Sequence, residues 1–322
     1  MLLDKIKDLI RGKKLKIVLT EGEDERVLGA AVKLAAEDLV VPVLVGNSAR
    51  MHDLALEKSW NLSRCEIINI ETYDAMDEMA QTMFDIRKGK QTIEQCKEML
   101  KSSNYFGTML VKMGLADGLV GGATYSTADT VRPALQLVKT KPGAKIVSSC
   151  FVVYDKTQRY IMGDCAINID PSADDLCEIA TECAATARMF NIDPKVAFLS
   201  YSTKGSGKGE DVTKVAEAVS KMDELNVDFA YDGEFQFDAA FSRTVGDLKA
   251  PGSSVAGRAN TFIFPDLQSG NIGYKIGQRL GKMNALGPIL QGLNAPINDL
   301  SRGCTKEDVY ELCIVTASQN FC

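Results

Sequence analysis

The stretch LKIVLTEGEDERVLGAAVKLAAEDLVVPVLVG, residues 15–46, decides the fold class. It opens on an apolar run, LKIVLT (15–20), crosses a polar turn, and continues as RVLGAAVKLAAED with apolar residues at helical spacing. It then returns to a second apolar run, VVPVLVG (40–46). Strand, helix and strand in that order build parallel sheets, and strands that are apolar throughout are buried on both faces. Further Val- and Ile-rich runs follow at 65–69, 117–122, 145–155, 195–202 and 260–266, with helical patterns such as DLCEIATECAATARMF between them. The chain therefore reads as α/β, with mostly parallel sheets. In such folds ligands sit where strands end and helices begin.

Composition narrows the chemistry. A chain of 322 residues, 45% hydrophobic and 25% charged, suits two medium domains with a sizeable core and excludes disordered and fibrous classes. Nine cysteines, an odd number without a C-x-x-C pair, argue against a disulfide frame or a structural zinc. With one histidine, His52, acid–base work falls to Asp, Glu, Lys, Tyr or Cys. A net charge of −6 offers no global attraction for nucleic acid. The amphipathic N-terminus lacks a signal-peptide pattern and no run is long enough to span a bilayer, so a cytoplasmic location is expected.

The punctuation KTKPGAK (139–145) marks a domain boundary, and VVYDKTQRYIMGD (152–164) reads as strand, turn and strand opening a second domain.

Several segments follow strands and carry candidate groups. VGGATYSTADTVRPALQ (120–136) supplies Gly121, Gly122, Ser126, Thr127 and Arg132. Because Pro133 suits a first helical position, Arg132 is expected at a helix N-terminus, where free N–H groups, hydroxyls and a guanidinium favour phosphate. The competing reading is a plain loop with Arg132 paired to Asp129. SYSTKGSGKGED (200–211) fails the Walker A pattern, because Ser202 and Gly209 stand at the wrong positions. It is left as either a contact for a phosphorylated cofactor or a solvated loop. DGEFQFDAAF (232–241) groups Asp232, Glu234 and Asp238 without matched ligands and is read as a polar loop opening a helix rather than a metal site. GNIGYKIG (270–277) is read as close helix packing.

NAPINDLSRGCTKEDVY (294–310) is turn-rich and ends in a helix start. Thr305 and Asp308 form a T-x-x-D variant of the capping box, which by itself explains Asp308. A cap does not require Ser301 and Arg302 beside it, so a site for an anion and a proton is the second reading.

Taken together, GGATYSTADTVRPALQ, DGEFQFDAA and GPILQGLNAPINDLSRG (287–303), in this order, resemble the phosphate acetyltransferase branch of the phosphate acetyl/butyryltransferase family over nearly the whole chain. The resemblance implies a fold like that of the isocitrate and isopropylmalate dehydrogenases, two α/β domains around an interdomain cleft. It divides the chain into residues 1–145 plus 296–322 and residues 146–295, the latter forming a homodimer. It implies reversible acetyl transfer between coenzyme A and phosphate by direct thiolate attack on acetyl phosphate in a ternary complex, and functional coupling to acetate kinase. No tightly bound cofactor or metal is expected, and activation by monovalent cations is left open.

Carried over by motif, the resemblance places Arg132 and, by a looser match in FDIRKGK, Arg87 on the substrate side, with Ser126 and Thr127 beside them. It gives Ser301 the thiol, Arg302 the phosphate and carbonyl charge, and Asp308 the role of essential acid. Cys165, in GDCAINIDP, is expected near the cleft and dispensable. A carboxylate base faces a thiol about 4.6 pKa units above it, roughly 6 kcal/mol, which arginines and a helix dipole must close. The rival activities are phosphate butyryltransferase and a non-catalytic acyl-CoA-sensing module such as is appended to some malic enzymes. A nicotinamide-linked dehydrogenase would need a metal site and a nucleotide loop that the motifs lack.

Overall fold

The computed structural model describes residues 2–321. Its strands in chain order are β1 (Lys16–Leu19), β2 (Val41–Val45), β3 (Glu66–Ile68), β4 (Gly118–Gly121), β5 (Ser148–Tyr154), β6 (Arg159–Gly163), β7 (Lys195–Leu199), β8 (Ala230–Phe235), β9 (Thr261–Ile263), β10 (Asn284–Gln291) and β11 (Ile297–Asp299). The chain forms two units, one of residues 2–142 with the C-terminal segment from Leu293, the other of residues 143–292.

The first unit holds a wholly parallel sheet in the order β11-β4-β1-β2-β3. Ile17, Val18 and Leu19 are fully buried because helices cover both faces. On one face Val18, Val43, Val45 and Leu119 share a cluster with Met79, Met83, Phe106 and Leu137. Helix Glu25–Ala36 starts where Asp24 accepts a bond from the Arg26 amide and buries Val27, Leu28, Ala31, Leu34 and Ala35 at three- and four-residue spacing. It packs against helix Lys306–Ser318, which is buried on nearly every side.

Topology places the site. The chain walks outward through β1, β2 and β3, then returns to lay β4 on the opposite side of β1, so connections diverge between β1 and β4. Such a reversal opens a crevice at the carboxyl ends of the strands. The C-terminal segment adds β11 beside β4, pairing Asp299 with Gly121, and so sets the loop after β11 next to the loop after β4.

The second unit has a six-stranded sheet in the order β10-β5-β6-β9-β7-β8. The expected strand–turn–strand over 152–164 is the antiparallel hairpin β5–β6, with Asp155 accepting from the amides of Thr157 and Gln158 in its turn. β6, β9, β7 and β8 run parallel, and β10 pairs antiparallel with β5. Residues 270–277 lie in helix Leu267–Arg279, as close helix packing requires, since a Cβ on Gly270 would meet the Asp164 carbonyl at 2.3 Å.

One expectation is corrected here. Asp232 and Glu234 belong to strand β8 rather than to a loop. A strand tolerates them because the 200–207 loop satisfies them. Glu234 Oε1 accepts from Ser202 Oγ at 2.8 Å and from the Gly205 amide at 2.7 Å, while Asp232 accepts from Lys204 Nζ and Ser253 Oγ. These bonds occupy Ser202 Oγ, Lys204 Nζ and the Gly205 amide, three of the donors of that loop.

Candidate active site

Three loops at the carboxyl ends of β1, β4 and β11 converge in the first unit. β4 ends at Gly121, and both glycines of the VGG motif are there to make room. A Cβ on Gly121 would lie 2.4 Å from Thr20 Oγ1, and one on Gly122, at φ +100°, 2.3 Å from Asp299 Oδ1. Beyond them the amides of Gly122, Ala123 and Thr124 point at a single partner, the carboxylate of Glu21. Its Oε2 accepts from Gly122 N at 2.9 Å and Ala123 N at 3.0 Å, and its Oε1 from Thr124 N at 2.5 Å and Thr124 Oγ1 at 2.7 Å. These three backbone donors of the glycine-rich loop are therefore filled by a side chain from the loop after β1.

The placement of Arg132 is also corrected. Helix Thr127–Pro133 carries Arg132 in its last turn, not at an N-terminus, and the helical path continues as a wider π turn over Ala134–Val138. Pro133 lacks the N–H that would bond the Asp129 carbonyl, and Asn104 Nδ2 donates to that carbonyl at 2.7 Å instead, so the proline is tolerated inside the helix. The competing Arg132–Asp129 pair does not form either. The Asp129 carboxylate accepts from Ser126 N at 3.2 Å and Ser126 Oγ at 2.7 Å, and these bonds hold its carboxyl below the ordinary value, with Arg132 adding a smaller electrostatic pull. Arg132 is exposed, and Arg87 ends helix Met76–Arg87 with its Nε on Gln91 Oε1 at 2.6 Å. Burial raises the Tyr105 hydroxyl above its ordinary value, and the charges of Arg132 and Arg87 oppose that rise, so both guanidiniums lie within electrostatic reach of this side chain.

Asp299 closes β11. It is buried, and it accepts from Thr127 Oγ1 at 2.6 Å and Thr130 Oγ1 at 2.5 Å, which pins the 127–133 helix to the end of that strand. Burial pushes its carboxyl up to about 6, opposed by the two threonine bonds and reinforced by the negative charges of Glu21 and Asp129.

After β11 the chain turns through Ser301, Arg302 and Gly303, all exposed. Leu300 N donates to Gly121 O at 2.6 Å, tying this loop to β4. The capping box then forms in full: Asp308 Oδ2 accepts from Thr305 N at 2.7 Å and Thr305 Oγ1 at 2.8 Å, and Asp308 N donates to Thr305 Oγ1 at 3.2 Å. Asp308 Oδ1 takes no part in the box.

Arg26 links all three loops. It bonds Asp24 through Nε and Nη2 at 3.0 and 2.8 Å, donates from Nη1 to Arg302 O at 2.9 Å and Cys304 O at 3.0 Å, and from Nη2 to Ala123 O at 2.9 Å. Burial raises the Cys304 thiol to about 11 despite this neighbour. Beside the network an open pocket of about 540 Å³ reaches toward β2 and is lined by Thr20, Glu21, Glu23, Asp24, Lys101 and Thr124 among others.

Of the residues singled out in the sequence, the first unit holds Arg87, Ser126, Thr127, Arg132, Ser301, Arg302 and Asp308. Cys165 lies in the second unit, buried, its thiol donating to Met162 O at 3.3 Å and raised well above its ordinary range by burial. Sequence reasoning gave no role to Glu21 or Arg26, and none to Asp299 beyond its neighbourhood. The signal for the first two was their position directly after the first strand, where parallel sheets build sites.

Known proteins share this architecture. Residues 1–317 match the family model described as Phosphate acetyl/butaryl transferase. The phosphate acetyltransferase of Staphylococcus aureus is 54% identical over 322 residues, covering 99% of this chain and 98% of that protein. That of Bacillus subtilis is 52% identical over 98% of this chain and 97% of its own length. A phosphotransacetylase structure from Streptococcus pyogenes superposes with a TM-score of 0.96 at 54% identity, covering 99% and 98% of the two chains. In fold alone, a putative 4-hydroxythreonine-4-phosphate dehydrogenase from Salmonella typhimurium, 11% identical and covering 95% of this chain and 99% of its own, reaches a TM-score of 0.52, which is the dehydrogenase-like architecture. The chain belongs to the phosphate acetyl/butyryltransferase family and is an acyltransferase.

Proposed function

We propose that this chain transfers an acetyl group reversibly between coenzyme A and inorganic phosphate by direct attack in a ternary complex. The observation that carries the reading is the loop after β11, which exposes Ser301 and Arg302 seven and six residues before an Asp308 held by its capping box. In the thioester-forming direction Asp308 takes the thiol proton through Oδ1. The sulfur bonds to the acetyl carbon, the bond from that carbon to the phosphate oxygen breaks, and its electron pair leaves with phosphate. Ser301 orients the thiol, and Arg302 steadies the carbonyl oxygen and the departing phosphate. Arg132 and Arg87, both within electrostatic reach of Tyr105, meet the charged parts of coenzyme A or phosphate. Ser126 and Thr127 serve by fixing the helix that carries Arg132, since their hydroxyls donate to Asp129 and Asp299.

The chemistry as written draws every charge from side chains, and we read it as needing no tightly bound cofactor. We read the working form as a homodimer through the second unit, where helix Leu267–Arg279 and the residue after it expose Ile272, Ile276 and Leu280, four residues apart on one helix face. Among the described residues no helix is long and apolar enough to cross a membrane. We read the enzyme as cytoplasmic and coupled to acetate kinase on the strength of its family.

The test is thioester formation from acetyl phosphate and coenzyme A, followed by ultraviolet absorbance, with Arg302→Ala and Asp308→Asn alongside. Removing a charge stabiliser or a general base is expected to lower turnover by about 10²- to 10⁴-fold with coenzyme A affinity largely kept. Faster turnover of butyryl than acetyl phosphate would move the substrate to the longer acid. Coenzyme A binding without turnover of any short acyl phosphate would make the chain an acyl-CoA sensor.

A further inference from the structure

Glu21 has no place in the chemistry above, yet it is the most heavily bonded carboxylate of the site. Two oxygens accept four bonds, three of them from consecutive backbone amides 101 to 103 residues away. A run of amides converging on one point is an anion nest. Here the anion is built in. The loop it holds leads directly to Ser126 and the helix carrying Arg132. The same loop presents Ala123 O to Arg26, whose other nitrogen grips the carbonyls of Arg302 and Cys304.

We propose that Glu21 is a positioning residue: its carboxylate acts as an internal anion that locks the loop after β4, and through Ala123 and Arg26 it sets the spacing between the loops that carry Arg132 and Arg302. This rests on the acyl-transfer reading, in which both arginines meet substrate. The restraint is directional. Three amides aimed at one carboxylate repel one another once it is gone, so the loop relaxes and both arginines lose their setting while every catalytic group remains present. The nest itself keeps its shape for any small carboxylate that can enter it, and the pocket lined by Glu21 and Thr124 opens onto it.

The experiment compares wild type, Glu21→Ala, Glu21→Gln and Arg132→Ala in the thioester assay, with and without tens of millimolar sodium formate, at constant ionic strength. A misplacement of about 1 Å is enough for about 10²-fold, so Glu21→Ala is expected to lose roughly that in kcat with KM for coenzyme A changed less than about threefold, and formate to return about tenfold of the loss. Arg132→Ala is expected not to respond to formate. Thermal melting gives a second reading: formate raises the Tm of Glu21→Ala and leaves that of wild type unchanged. If the alanine variant does not fold, Glu21→Gln carries the test, because it keeps the volume but turns an amide N–H toward the nest, and wild-type turnover in it overturns the proposal. So does a folded Glu21→Ala within about threefold of wild type, or a loss that formate leaves untouched. An inactive wild type would overturn the acyl-transfer reading instead, and the formate effect on Tm would still decide whether Glu21 fills the nest.

Discussion

Asp299→Asn is expected to stabilise the protein, and more so at higher pH. The wild-type carboxyl rises from an ordinary 3.8 to about 6, and the residue is 1% exposed. A raised folded-state value means the folded protein favours the protonated acid. Its contribution is fully present below the unfolded value near 4 and is lost as pH climbs through 6. A shift of about 2 units corresponds to about 3 kcal/mol, with roughly 1.5 kcal/mol already lost at pH 5 and essentially all of it by pH 8. Asparagine imitates the protonated acid. Its oxygen accepts from one of Thr127 and Thr130, and the other hydroxyl turns to accept from its amide, so both contacts to the helix survive. The variant is therefore expected to exceed wild type by about 1.5 kcal/mol at pH 5 and about 3 kcal/mol at pH 8. Urea titrations at the two pH values provide the assay, with a midpoint shift of about 1 M or more at pH 8. The single tryptophan, Trp60, reports on the unit in question, since it packs beside Gly29 and under Lys306. An advantage that is the same at both pH values, or a wild type that is the more stable at pH 8, would refute the reasoning.

Three further outcomes are expected. Gly122→Ala should cost several times more stability than Gly89→Ala: both have positive φ, worth about 1–3 kcal/mol, but a Cβ at Gly89 meets nothing within 4 Å whereas at Gly122 it strikes Asp299 and Leu300, and their melting temperatures measure the difference. Thr305→Ala removes the helix cap and should cost about 1 kcal/mol, with turnover falling because Asp308 loses the bonds that orient it; unchanged kcat with the stability loss would separate the base from its cap. Cys165→Ala should keep turnover, and Cys165 in the folded wild type should resist alkylation, as mass spectrometry after iodoacetamide treatment would show, because its buried thiol does not ionise near neutral pH.

Local patterns in the chain were enough for the sheet-building units, the β5–β6 hairpin and the capping box of Thr305 and Asp308, because periodicity and cap chemistry act within a few residues. Patterns failed where a partner from far away changed the meaning of a segment. Asp232 and Glu234 look like a loop until Ser202, Gly205, Lys204 and Ser253 are seen to satisfy them inside a strand. Pro133 looks like a helix start until Asn104 takes the carbonyl it leaves open.

By itself, then, the amino-acid order determined that this chain is an α/β acyltransferase and singled out the loops carrying Arg132, Ser301, Arg302 and Asp308. Tertiary structure alone decided that the glycine-rich loop is closed by Glu21, that Asp299 is an elevated buried acid, and that Arg26 binds three loops into one site. The reason is the topology: β1, β4 and β11 lie side by side in the sheet although β4 and β11 start 102 and 281 residues after β1, and carboxylates and amides from such distant segments meet only after the strands have paired.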